Sequence, residues 1–201
     1  RVGFRFRPNL DLSHPAIRQY LLLTLPIMIG QSILVTDDWL IRYFGAFLGT
    51  ASISWLNYAK KLAQVLPALL GQASAAASFP TLSAQAERGA VREMSATLGE
   101  GLRRALLLSA AGAVLLLVLN REATVLLFRG HRFTTADALA TGQALAILSL
   151  SVPAWVAQAL LARGYYALRS TWAPTLMGTV MTLLGIPLYG ALSQRGYLGL
   201  A

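Results

Sequence analysis

Asn57, Lys60, Lys61 and Gln64 recur at i, i+3, i+4 and i+7, which on a helix makes one polar stripe. Two ammonium groups between two amides suit an anion such as phosphate, with lysine acting as a point charge. A second charged group lies upstream in "TDDWLIR". There Asp38 and Arg42 are four apart and share a helix face, the spacing of an ion pair, while Asp37 points about 100° away and needs another partner. Neither set resembles hydrolytic or redox machinery: no Ser/His/Asp set, phosphate loop or dinucleotide fingerprint is present. The chain has no cysteine, so neither a disulfide framework nor a thiolate metal site can form, and its two histidines stand without a carboxylate cluster. The expectation is a binding and transport protein rather than an enzyme, with no catalytic residue, metal or cofactor.

The surroundings give these charges their meaning. The chain is 56% hydrophobic and 12% charged, against about 25% charged in soluble domains. Apolar residues gather in five blocks, 17–44, 52–79, 102–128, 141–161 and 174–192, and a sixth begins at 197–201. A bilayer core needs about 20 mostly apolar residues per helix. "ALLLSAAGAVLLLVLN" (105–120) has no charge on any face, whereas a helix of a soluble bundle keeps a polar stripe. The expected fold is all-α: one polytopic transmembrane bundle over residues 1–201, with about five full spans and the start of another. Its net charge of +9 fits anionic lipid headgroups and topology signals rather than nucleic acid, because the arginines flank the apolar blocks.

An ionised side chain at mid-bilayer costs a few kcal/mol or more, and such residues normally face protein or a water-filled cavity. Asp37, nearer mid-span, is expected to face a hydrated cavity. Arg42 and the two lysines, near span ends, have snorkelling to the outer headgroups as the alternative. Antiparallel pairing of the first two spans would bring Asp37 or Asp38 near Lys60 or Lys61.

The connectors follow. Residues 1–13 form a basic lead-in, with Ser13 as a helix cap and Pro15 in the first turn. The longest polar stretch is 81–101. Its Val91, Met94 and Leu98 recur at helical spacing, so it reads either as a loop bearing a small interfacial amphipathic helix or as a solvated connector. One side of the membrane receives Arg1, Arg5, Arg7, Arg18, Arg88, Arg92, Arg103, Arg104, Arg163 and Arg169. The other receives Arg121, Arg129, Arg132 and Arg195. The positive-inside rule puts the first set, and with it the 81–101 stretch, in the cytoplasm. Pro26, Gly30, Pro67, Gly71, Gly112, Pro153, Gly178, Gly185 and Pro187 fall within the blocks, as suits helices that bend or approach closely. The start "RVGFRFRPNL" has no short apolar core with a cleavage site and is not read as a signal peptide. The whole reads as an internal fragment of a larger membrane protein.

Several short pieces then occur in a telling order: "LPIMIGQS" (25–32), "ASISWLNYAKKL" (51–62), "FPTLS" (79–83), "LLFRGHRFTTADA" (126–138), "ARGYYAL" (162–168) and "TWAPT" (171–175). From about Pro15 onward the chain resembles the MurJ (MviN) lipid II flippases of the multidrug/oligosaccharidyl-lipid/polysaccharide exporter superfamily. The resemblance implies two six-helix bundles around a V-shaped cavity, this chain supplying most of the second bundle, from the seventh span into the twelfth. It implies a multi-pass protein of the bacterial inner membrane that moves a lipid-linked oligosaccharide for peptidoglycan and cell wall biogenesis by alternating access. Lys61 falls where the family has a cavity arginine, keeping the charge and losing the fork, and Gln64 falls where a glutamate is usual. The family's acidic residue late in the seventh span falls near Ile41, with Asp37 and Asp38 displaced upstream. Substrate contact is therefore expected of Lys61, Lys60, Asn57 and Gln64. Cavity charge balance or ion coupling is expected of Asp37, Asp38 and Arg42. Two rivals stay open: another cargo within the superfamily, as in a drug/cation antiporter or an O-antigen flippase, and a non-transporting scaffold that recruits wall-synthesis enzymes.

Overall fold

Apolar blocks without polar relief fold as helices because hydrocarbon offers no partner for an unpaired backbone group. The computed structural model describes residues 15–130 and 133–201, with side chains throughout except at Pro15, Ala16, Gln19, Leu23, residues 31–34, Asp37 and Thr50. The lead-in, with the cap expected at Ser13, lies outside the described residues. The described residues form eight α-helices: α1 Pro15–Ala46, α2 Thr50–Leu66, α3 Ala73–Glu87, α4 Val91–Val118, α5 Asn120–Phe128, α6 Thr135–Ser149, α7 Val152–Ala167 and α8 Trp172–Ser193. No strand occurs among the described residues, only an isolated bridge between Gly130 and Phe133. The chain is an all-α, multi-pass membrane bundle.

The blocks are less regular than their hydropathy. A π-helical turn, Pro67–Gln72, joins α2 to α3 without interrupting the rod, and together they run over Ala51–Glu87, 37 residues. Pro67 has no N–H to donate, and the wider turn accommodates that loss. The block at 102–128 breaks at Leu119, between α4 and α5. The block at 141–161 divides into α6 and α7, bent by 48°. Pro153 stands in the first turn of α7, where its missing N–H costs nothing. Among the described residues, Ala51–Glu87, Val91–Val118 and Trp172–Ser193 are each long and apolar enough to cross a membrane, and the bent pair α6–α7 has the length and composition of a fourth span when its two helices are taken together. Helix α1, at 32 residues, has a shorter apolar run over Tyr20–Gly30. Residues 197–201, read as the start of another block, hold instead the 3-10 turn Tyr197–Leu200, whose Leu200 is buried in a cluster with Leu56 and Leu145.

The polar stretch 81–101 comprises the end of α3, a tight turn and the first turns of α4. Gly89 takes φ 70°, a left-handed conformation that glycine adopts without strain. The N–H of Ala90 donates to Gln85 O at 3.0 Å, closing α3. Met94 is buried and Leu98 presses on Gly164 of α7, so their helical spacing serves packing between long helices.

Small residues set the packing. Two separate cores form. One joins Ala59 and Ala63 of α2 to Ala113 of α4, with Ala144 and Leu145 of α6 and Val152 of α7. The other joins Ala75 of α3, Ala105 of α4, and Val156 and Leu160 of α7. Helix α4 runs unbroken through both, while the α2–α3 rod carries its π-helical turn, 67–72, between its residues of the first core and Ala75 of the second. Gly71 sits against Val156, where an added Cβ would lie 3.3 Å from the Val156 Cα, the close approach that small residues permit. Helices α1 and α8 pair alongside. The buried Thr175 hydroxyl donates towards Pro26 O at 2.9 Å and Thr171 O at 3.0 Å, and Gly30 leaves room for it. "LPIMIG" and "TWAPT", far apart in sequence, thus meet at one helix crossing.

Candidate functional site

Helix α2 carries the polar stripe, and the neighbours of each side chain decide its role. A short turn folds α2 back along α1, with Gly49 at φ 98° before the first residue of α2. That return sets Asp38 of α1 against Lys60 of α2, with Nζ to Oδ1 at 2.6 Å. The expected Asp38–Arg42 pairing within α1 does not form among the described contacts. Asp38 instead takes the cation across the helix interface, and Arg42 is exposed. Lys60 is only 22% exposed, so a counter-charge matters more to it than to Arg42, which solvates its own charge. The orientation of Asp37 lies outside the described side chains.

The stripe therefore divides. Lys60 turns to α1, while Asn57, Lys61 and Gln64 stay exposed on the adjoining face, because consecutive residues diverge by about 100° on a helix. No carboxylate pairs with Lys61 among the described residues. Its ammonium lies 5.8 Å from the ring centroid of Tyr58, within cation–π range.

Sequence reasoning passed over the groups that fix this face. Tyr58 stacks with Phe128 at 4.8 Å and with Phe133 at 5.4 Å, and those two rings are 5.9 Å apart. One turn earlier, Trp55 Nε1 donates to Asp137 Oδ1 at 2.9 Å. The other carboxylate oxygen of Asp137 accepts from the N–H of Thr134 at 2.9 Å and from its hydroxyl at 2.6 Å. Thr134 and Asp137 form a capping box on α6, and the T-x-x-D spacing was visible in "TTAD". That the same carboxylate also holds α2 was not, since the partner is 82 residues away. Trp55 in turn stacks on Tyr197 at 5.1 Å, and the Tyr197 hydroxyl donates to Gln143 Oε1 at 2.8 Å.

No cluster of His, Asp or Glu that could hold a metal occurs among the described residues. A groove of about 340 Å³ along α8 is lined by Met181, Leu188, Tyr189 and Leu200, among others, and holds none of the expected site residues. What this face of α2 presents is Lys61, which has no carboxylate partner among the described residues, two amides and an aromatic ring. This arrangement can hold an anion beside an apolar or saccharide surface.

A family model described as "Lipid II flippase MurJ" matches residues 1–201. Among curated proteins, the chain is similar to a "Probable lipid II flippase MurJ" of Vibrio cholerae, 27% identical over 202 residues, covering 100% of this chain and 38% of that protein. A protein of the same description from Buchnera aphidicola subsp. Acyrthosiphon pisum is 27% identical over 184 residues, 92% of this chain and 36% of its own. "Lipid II flippase MurJ" of Burkholderia cenocepacia is 29% identical over 167 residues, 83% of this chain and 32% of its own. The chain thus spans between 32% and 38% of the length of these relatives.

Proposed function

Because the chain belongs to the family of lipid II flippase MurJ, we propose that it forms part of a transporter moving an undecaprenyl-diphosphate-linked peptidoglycan precursor from the inner to the outer leaflet of the bacterial inner membrane. The observation that carries this reading is the division of the lysine pair. Lys60 is matched by Asp38, while Lys61 has no carboxylate partner among the described residues and lies on an exposed face beside Asn57 and Gln64. A diphosphate crossing a low-dielectric layer gains most from such a fixed cation, because Coulomb attraction grows as water is excluded. Asp38 and Lys60, with Arg42 and Asp37, then supply the charge balance of the cavity wall. The π-helical turn at Pro67–Gln72 and the bend between α6 and α7 give the bundle places to flex as access alternates. No covalent bond is made or broken.

The test is transfer between leaflets. Full-length protein reconstituted into vesicles should speed the passage of a labelled undecaprenyl-diphosphate-linked disaccharide-pentapeptide over protein-free vesicles. Equal rates, with protein shown to be folded and inserted, would remove the transport reading and favour the scaffold.

Orientation is tested separately. A cysteine at Arg88, in the α3–α4 turn, should react with an impermeant thiol reagent only from the cytoplasmic side, and one at Ala51 only from outside. The chain has no cysteine of its own, so within it the label reports one site. Reversed labelling would overturn the assigned topology.

A further inference from the structure

Tyr58 is 36% exposed, although two other rings hold it in place. Phe128 ends α5 and Phe133 precedes the cap of α6, so the ring of Tyr58 is buttressed by two elements besides its own. The Trp55–Asp137 hydrogen bond one turn away ties the same part of α2 to α6. The ring is partly open and flanked by Asn57 and Lys61, both exposed. Tyr58 and Lys61 are three residues apart, a rise of about 4.5 Å along the helix. A pyranose bonded directly to a phosphate is centred at a comparable offset from it.

We propose that Tyr58 and Asn57 form a saccharide subsite next to Lys61, in which the first pyranose of the glycan stacks on the Tyr58 ring and the Asn57 amide hydrogen-bonds a sugar hydroxyl. This rests on the reading of Lys61 as the diphosphate-binding cation. The axial C–H groups of a pyranose carry slight positive charge and meet the negative face of the ring quadrupole. Without ligand, the Lys61 ammonium stands near that face, 5.8 Å from the centroid. When the ammonium moves to a diphosphate, the ring is released to the sugar, so the two contacts form in concert. The subsite also sets polarity: the sugar lies on the side of the diphosphate nearer the α1–α2 turn.

The experiment measures binding by full-length protein in lipid nanodiscs with two probes, undecaprenyl diphosphate and undecaprenyl-diphosphate-linked disaccharide-pentapeptide. Tyr58→Leu should weaken the glycan-bearing probe by about tenfold and leave the bare diphosphate within about twofold. Tyr58→Phe, which keeps the ring, should match the wild type on both. Asn57→Ala, at an exposed position, should weaken only the glycan-bearing probe, and it keeps the proposal testable should Tyr58→Leu fail to fold. Equal weakening of both probes by Tyr58→Leu in folded protein, or no effect on either, would overturn the saccharide subsite. A Lys61→Ala variant that binds both probes as the wild type does would instead overturn the diphosphate reading on which the subsite stands.

Discussion

Lys61→Ala, made in the full-length protein, should fail to support growth of a flippase-depleted bacterium, whereas Lys61→Arg should support it. Losing a charge-assisted contact costs about 1.5–3 kcal/mol, roughly ten- to a hundredfold in affinity. Lys61 has no carboxylate partner among the described residues, so its removal leaves no buried charge behind. Arginine keeps the charge and adds a fork that suits phosphate. Lys60→Ala should behave differently. It breaks the 2.6 Å pair with Asp38, so its effect should appear as lower thermal stability before it appears in transport. Membrane levels of each variant would be measured alongside growth. Full complementation by Lys61→Ala at normal levels would remove charge recognition at this position and leave the scaffold reading in front.

Gly142→Val should lower stability by about 1–3 kcal/mol, the usual cost of forcing bulk into a packed contact. A Cβ at Gly142 would lie 3.1 Å from Asn120 Oδ1, 3.2 Å from the Asn120 carbonyl and 3.2 Å from Thr124 Oγ1. One of these is backbone and cannot swing away, and valine adds two methyl groups beyond that Cβ. Helix α5 would be pushed off α6, straining the bond from the buried Thr124 hydroxyl to Ala138 O, now 2.8 Å. Gly178→Val is the matched control, because a Cβ there meets nothing within 4 Å. Melting of the detergent-purified full-length variants measures both. Equal melting of Gly142→Val and Gly178→Val would contradict the close α5–α6 crossing.

Much of this molecule was legible in its sequence because the signals are local. Uncharged runs of spanning length dictate helices in any environment that lacks hydrogen-bonding solvent, and the placing of arginines gives an orientation before any packing is known. The spacing of Asn57, Lys60, Lys61 and Gln64 placed all four on one stripe of α2; in the fold Asn57, Lys61 and Gln64 are exposed, while Lys60 turns to Asp38 of α1. Pro153 and the Thr134–Asp137 cap were start signals written in the chain. The division of the 141–161 block at Pro153 was missed because hydropathy averages across a bend. Other features had no local signal. Spacing alone offered Asp38 to Arg42 as readily as to Lys60. Only the return of α2 along α1 chose Lys60 and left Lys61 without a carboxylate partner among the described residues. The tie between Trp55 and Asp137, the aromatic contacts around Tyr58, and the meeting of Pro26 with Thr175 join residues 82, 70 or more, and 149 positions apart. Helical periodicity says which face a side chain occupies. Which neighbour covers that face depends on how whole helices pack, and in this chain that is decided by where small residues and helix breaks let backbones approach.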